Sequence, residues 1–137
     1  MSGLDGRMVG LLERLLDVAS RRQALIGANI ANVDTPGYHT RDLDFDRAMA
    51  EADRGAGALT RLARTEPGHL AGAGDLALAA HEFEPRGLAR RNDLNNVSID
   101  REMLALTRTA GKYTAAVEIL RKRFALLRYA LTEGRTG

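Results

Sequence analysis

The sequence predicts a mainly α protein: long N- and C-terminal helices forming an antiparallel coiled coil, with a small loop-rich, partly β or irregular middle segment between them. Two patterns carry this reading. Apolar residues recur at alternating steps of three and four near both ends, the spacing that lines one helix face, and glycines break every long periodic stretch in between. The third observation is composition: 45% of the residues are hydrophobic but only 4% are aromatic, which suits close helix packing better than a large globular core. The expected division is 1–33 as the N-terminal coiled-coil helix, 34–98 as a turn motif and small irregular segment, and 99–137 as the C-terminal coiled-coil helix, packing with 1–33 as one domain.

The first helix is expected over about residues 4–32, with its seam on Leu4, Met8, Leu11, Leu15, Val18 and Leu25. Leu12, Ala19 and Ile26 widen the stripe, while Arg22 and Asn29 fall on the seam itself. A polar group at a seam position costs stability but can fix register. Glu13, Arg14 and Asp17 interrupt the leucines, so the segment is expected to be neither a spanning helix nor a classical secretory leader.

A turn follows. Pro36 has no N–H to donate and biases Thr35 toward an extended conformation, while Gly37 can take positive φ, so Asp34 to Tyr38 should redirect the chain. Asn29, Asn32, Asp34 and Thr35 offer side-chain groups for the backbone left unpaired where a helix ends. In the middle, Asp44 is placed to cap a short helix over Phe45–Arg54, closed by Gly55. Extended pieces are expected near Leu59–Ala63 and Leu76–Phe83, and 86–96 reads as a polar connector.

The last helix is expected over about 99–132, with a heptad seam on Met103, Leu106, Ala110, Tyr113, Val117, Leu120, Phe124, Leu127 and Leu131. Ser98 is the N-cap candidate, Asp100 and Glu102 lie in the first turn, and Arg121, Lys122, Arg123 and Arg128 gather toward the C-terminal end, complementing the helix dipole. Such seams gain more from neighbouring copies than from one partner helix, so the isolated chain is expected to order its ends on assembly.

Several chemistries are disfavoured. Absence of cysteine removes disulfides, zinc–thiolate sites and thiol catalysis. His39, His69 and His81 show no paired spacing for a metal or a catalytic base, and Ser2, Ser20 and Ser98 lack a nucleophile-elbow context. Asp42, Asp44 and Asp46 open like a calcium loop, but that loop needs glycine and glutamate where this chain has Arg47 and Asp53. Neither an enzyme nor a cofactor is expected. A formal charge of +2 does not demand nucleic acid, although the cluster at 121–128 keeps a basic helical nucleic-acid binder as an alternative.

Ala28-Asn29-Ile30-Ala31-Asn32 followed by Thr35-Pro36-Gly37-Tyr38 resembles the N-terminal signature of the bacterial flagellar axial proteins, the family of rod, hook and hook-associated subunits. Arg41-Asp42-Leu43-Asp44-Phe45 narrows the likeness to proximal-rod members. The segments 65–70 and 96–103 are similar to the same members, so the resemblance touches both ends and the centre. It implies a structural subunit that polymerises helically into a hollow drive shaft transmitting torque for motility. It implies as partners other copies and other rod subunits, the membrane ring with its adaptor, and the flagellar type III export apparatus, with no nucleic acid and no small-molecule substrate. Export without a cleaved signal and a periplasmic place in the basal body, outside the inner membrane, go with it. The alternative within the family is another rod or hook-type axial subunit; the short stretch between the helices argues against hook proteins.

Overall fold

The computed structural model describes residues 2–55, 78 and 81–133. In chain order these form α1 (Ser2–Ala31), β1 (Asp42–Leu43), α2 (Phe45–Gly55), β2 (Glu82–Phe83) and α3 (Ile99–Glu133). Two long helices and a small, mostly irregular middle with a two-stranded sheet therefore make up the fold, as the apolar spacing predicts.

The end of α1 is written in its asparagines. Asn32 N–H still reaches the Ala28 carbonyl at 3.1 Å, and its Nδ2 bonds the same carbonyl at 2.8 Å, so the side chain folds back onto the last turn of the helix. Thr35 N–H bonds the Asn32 carbonyl at 3.0 Å and Tyr38 N–H the Thr35 carbonyl at 3.2 Å, two successive tight turns. Gly37 sits at φ 71°, the left-handed region that a side chain disfavours.

The chain then runs into β1, which pairs antiparallel with β2 in the register Asp42 to Phe83 and Leu43 to Glu82. Asp44 caps α2: its Oδ1 accepts from Arg47 N–H at 3.1 Å, and its carbonyl accepts from Ala48 N–H at 2.9 Å. Within Leu76–Phe83, the described residues are extended only at Glu82–Phe83, and Leu78 is helical. The expected extended piece at Leu59–Ala63 lies outside the described residues.

α1 is the central element, touching α3, α2 and β1. Val18 and Leu25 from α1, Leu43 from β1, Ala48 from α2 and Leu78 form a buried cluster, with Phe45 and Met49 packed against it. Removing a side chain the size of leucine or valine from water stabilises by about 1.5–3 kcal/mol, so this cluster fixes β1, α2 and Leu78 on α1. Asn29, near the end of α1, bonds Glu102, near the start of α3, so the packed helices run antiparallel, with the start of α1 and the end of α3 toward the other end of the pair.

The face that α3 buries is small and polar. Glu102, Thr109 and Ala116 are 4%, 0% and 2% exposed, seven residues apart. Each stands one residue before the predicted seam positions Met103, Ala110 and Val117. Thr109 satisfies its hydroxyl within the helix, donating to the Ala105 carbonyl at 2.8 Å, and so can lie against α1 without a stranded polar group.

Candidate functional site

The motif turn is a hydrogen-bonded junction built on three asparagines. Asn29 is 1% exposed, and its amide is fully used. Nδ2 donates to the Arg41 carbonyl at 2.7 Å and to Glu102 Oε2 at 2.9 Å; Oδ1 accepts from Arg41 N–H at 3.0 Å and from the Tyr38 hydroxyl at 3.2 Å. One side chain thus ties the end of α1, the outgoing strand and the first turn of α3.

Asn95 and Asn96 do the same from the other side. Asn95 Nδ2 donates to the carbonyls of Asn32 and Thr35 at 2.9 and 2.8 Å, while its Oδ1 accepts from Val97 N–H at 2.8 Å. Asn96 Oδ1 accepts from Thr40 N–H at 2.6 Å, and its carbonyl from the Thr40 hydroxyl at 3.3 Å. Gly37 N–H reaches the Asp93 carbonyl at 2.7 Å, and the Arg91 guanidinium donates to the Val33 carbonyl. The segment read as a polar connector is therefore a scaffold, with Asn95 and Asn96 buried; two consecutive asparagines ahead of a helix were the available signal.

Ion pairs surround this junction. Arg22 meets Asp42 through two bonds at 2.8 and 3.0 Å. The Glu82 side chain, 4% exposed, receives Arg21 Nε at 2.8 Å and lies 3.4 Å from the Arg41 guanidinium. Glu82 carried no sequence signal, because its burial depends on β1 and β2 pairing across a long separation. His39 Nδ1 lies 2.7 Å from Glu84 Oε1; that hydrogen bond, with the nearby charges of His39 and Arg90, holds the Glu84 carboxyl below its ordinary value. Burial pushes Glu102 the other way, above the ordinary value, against the opposing hydrogen bond from Asn29.

The motif residues divide by role. Ile30, Asn32, Tyr38, Asp42 and Phe45 are half-buried, whereas Ala28, Ala31, Thr35, Pro36, Gly37 and Asp44 face solvent. Phe45 carries Lys112 over its ring at 3.9 Å, a cation–π contact from α3 onto the start of α2. Asp42 is engaged by Arg22 and Asp44 caps α2, so two carboxylates of the calcium-like run serve the fold.

The predicted stripes divide too. On α1, Val18 and Leu25 are buried, Leu15 is half-buried, and Met8 and Leu11 are exposed; Leu4 lies in α1, but its side chain is outside what the structure describes. On α3, Leu106, Ala110, Val117 and Leu120 are half-buried, while Met103, Tyr113, Phe124, Leu127 and Leu131 are exposed, and Leu126 and Tyr129 beside them are exposed as well. Leu131 keeps 73% of its surface in solvent, Leu126 66% and Phe124 59%. An exposed leucine is ordinary; a run of them on one helix end marks an interaction surface. Among the described residues no group of three or more His, Asp or Glu could hold a metal ion, and no helix is long and apolar enough to cross a membrane.

A tightly built turn at one end of a helix pair, and large apolar side chains facing outward along it, define an assembly subunit with a surface made for neighbours. Residues 16–39, the second half of α1 and the motif turn, match the family described as Flagella basal body rod protein. Over most of its length the chain is similar to flagellar basal body rod protein FlgB of Aeromonas hydrophila, 30% identical across 89% of this chain and 90% of that protein. The FlgB of Borreliella burgdorferi is 32% identical over 78% and 82%, and that of Bacillus subtilis 28% over 90% and 92%. The chain belongs to the FlgB family of flagellar basal-body rod proteins.

Proposed function

We propose that this chain is a structural subunit of the proximal rod, polymerising helically into the hollow drive shaft that carries torque for motility. The observation that carries the reading is the exposed apolar run of α3, Phe124, Leu126, Leu127 and Leu131, with Met8 and Leu11 of α1, on a chain whose relatives are rod proteins. Burying one such side chain stabilises by about 1.5–3 kcal/mol, so several per contact favour association over solvation. Interdigitated helices then resist sliding, because each displaced side chain forfeits close packing.

In this reading 1–33 and 99–137 act as one helix-pair unit, and 34–98 braces it. The predicted seam is shared, its inner residues joining α1 to α3 and its outer ones joining neighbours. Partners are further copies, the other rod subunits, the membrane ring with its adaptor and the type III export apparatus. The working place is periplasmic, outside the inner membrane, reached without a cleaved signal. The role is mechanical rather than enzymatic.

Helical reconstruction of intact basal bodies tests it. The proposal expects this chain in the rod with Phe124, Leu126 and Leu131 covered by adjacent subunits. A rod in which those side chains face solvent, or from which the chain is missing, contradicts it.

A further inference from the structure

Glu102 is buried at the junction of three elements, with no cation in ion-pair contact among the described residues. It is 4% exposed, and the hydrogen bond its side chain receives comes from the neutral amide of Asn29 at 2.9 Å. The charged groups that face it come from each element packed there: Arg22 from α1, Asp42 from β1 and Arg101 from α3 itself, with the Tyr38 hydroxyl one hydrogen bond away on Asn29 Oδ1. Arg22 is committed to Asp42 through both of its bonds, so its charge is largely neutralised where Glu102 sits. Arg101 leaves Nη1 buried without a hydrogen-bond partner and does not reach the carboxylate within ion-pair distance.

We propose that Glu102 and Asn29 form a proton-sensitive latch that seats the first turn of α3 on the end of α1 and on the motif turn. The amide can donate to a neutral carboxyl too, though less strongly than to an ionised one, since Nδ2 needs only an acceptor oxygen; for the buried carboxylate the lost hydration outweighs that stronger bond. Protonation therefore tightens the junction and ionisation loosens it. Because Asn29 also holds both backbone groups of Arg41, loosening Glu102 is felt in the turn as well as in the helix pair.

The direction in pH follows. Burial raises the folded-state value of Glu102 above its ordinary 4.5. Its contribution is then fully present below that ordinary value and is lost as pH rises through the higher folded one. The latch lies at the end of the molecule opposite Phe124 and Leu131, and it stands independently of the rod reading.

The test compares thermal unfolding of the full chain with that of Glu102→Gln, an uncharged isostere, between about pH 4 and about pH 8. The gap between the two should widen in favour of the variant as pH rises. Titrations common to both proteins, that of Glu84 included, cancel in this difference. Parallel curves overturn the proposal. The side-chain carboxyl of Glu102 in the unaltered chain, followed by NMR, gives a second reading: a midpoint above that of free glutamate supports the latch. An ordinary or lower midpoint, whether from an exposed carboxyl or an undocked α3, overturns it.

Discussion

Arg22 and Asp42 meet as two parallel hydrogen bonds, Nε to Oδ1 at 2.8 Å and Nη2 to Oδ2 at 3.0 Å, and so lock the middle of α1 to the start of β1. Their side chains are 21% and 17% exposed, so water screens the pair only in part. Arg22 falls on the predicted seam of α1, where its register-fixing partner turns out to be a strand of the same chain.

Breaking that pair should be felt. Asp42→Asn leaves Arg22 half-buried with one weak acceptor, and the expected loss is about 1–3 kcal/mol in denaturant unfolding, with Arg22→Lys losing a similar amount because an ammonium cannot make the fork. Asp42 Oδ1 also accepts from Leu43 N–H at 2.7 Å, a bond the asparagine oxygen can keep, which places the asparagine variant toward the lower end of that range.

Backbone conformation predicts two substitutions of opposite sign. Gly37 has φ 71° and open space where a Cβ would go, so Gly37→Ala costs conformational energy alone, about 1 kcal/mol. Leu94 adopts φ 66° with a side chain 59% exposed, so Leu94→Gly relieves strain and loses little contact. After the added freedom of the unfolded chain is offset, it should gain about 0.5–1 kcal/mol. Equilibrium unfolding of the two variants checks both signs.

Acid should weaken the contact between His39, just past the motif turn, and Glu84, just past β2. The Glu84 carboxyl, held low chiefly by its hydrogen bond with His39, contributes stability that is present above the ordinary glutamate value of 4.5 and is lost as pH falls through its lower folded value. In Glu84→Gln that acid-side loss disappears. Unfolding of the two proteins followed across the acid range reads the change.

Much of this architecture was legible in the residues. The turn at Pro36 and Gly37, the cap at Asp44, and the start of α3 after Ser98 rest on local chemistry, and short-range hydrogen bonds realise them. The buried line of α3 was not legible, because its apolar residues outnumber what α1 can cover. Periodicity finds the stripe richest in large side chains, Met103 to Leu131, whereas the buried positions are the smaller Thr109 and Ala116 one residue earlier. Small residues let helices approach, and they leave no mark in a hydrophobicity pattern. Asn95, Asn96, Glu82 and Glu102 escaped for a related reason: each is a polar side chain whose burial depends on partners distant in the chain.

The central claim is that the outward apolar run of α3 exists for neighbouring subunits rather than for the chain's own fold. Leu131→Asp, introduced into the chromosomal copy and into purified protein, addresses it directly, because the native side chain is 73% exposed. The account predicts unfolding within about 0.5 kcal/mol of the unaltered chain, together with cells that do not swim and basal bodies lacking the rod. Swimming cells with complete basal bodies, or a purified variant that fails to fold, would contradict it.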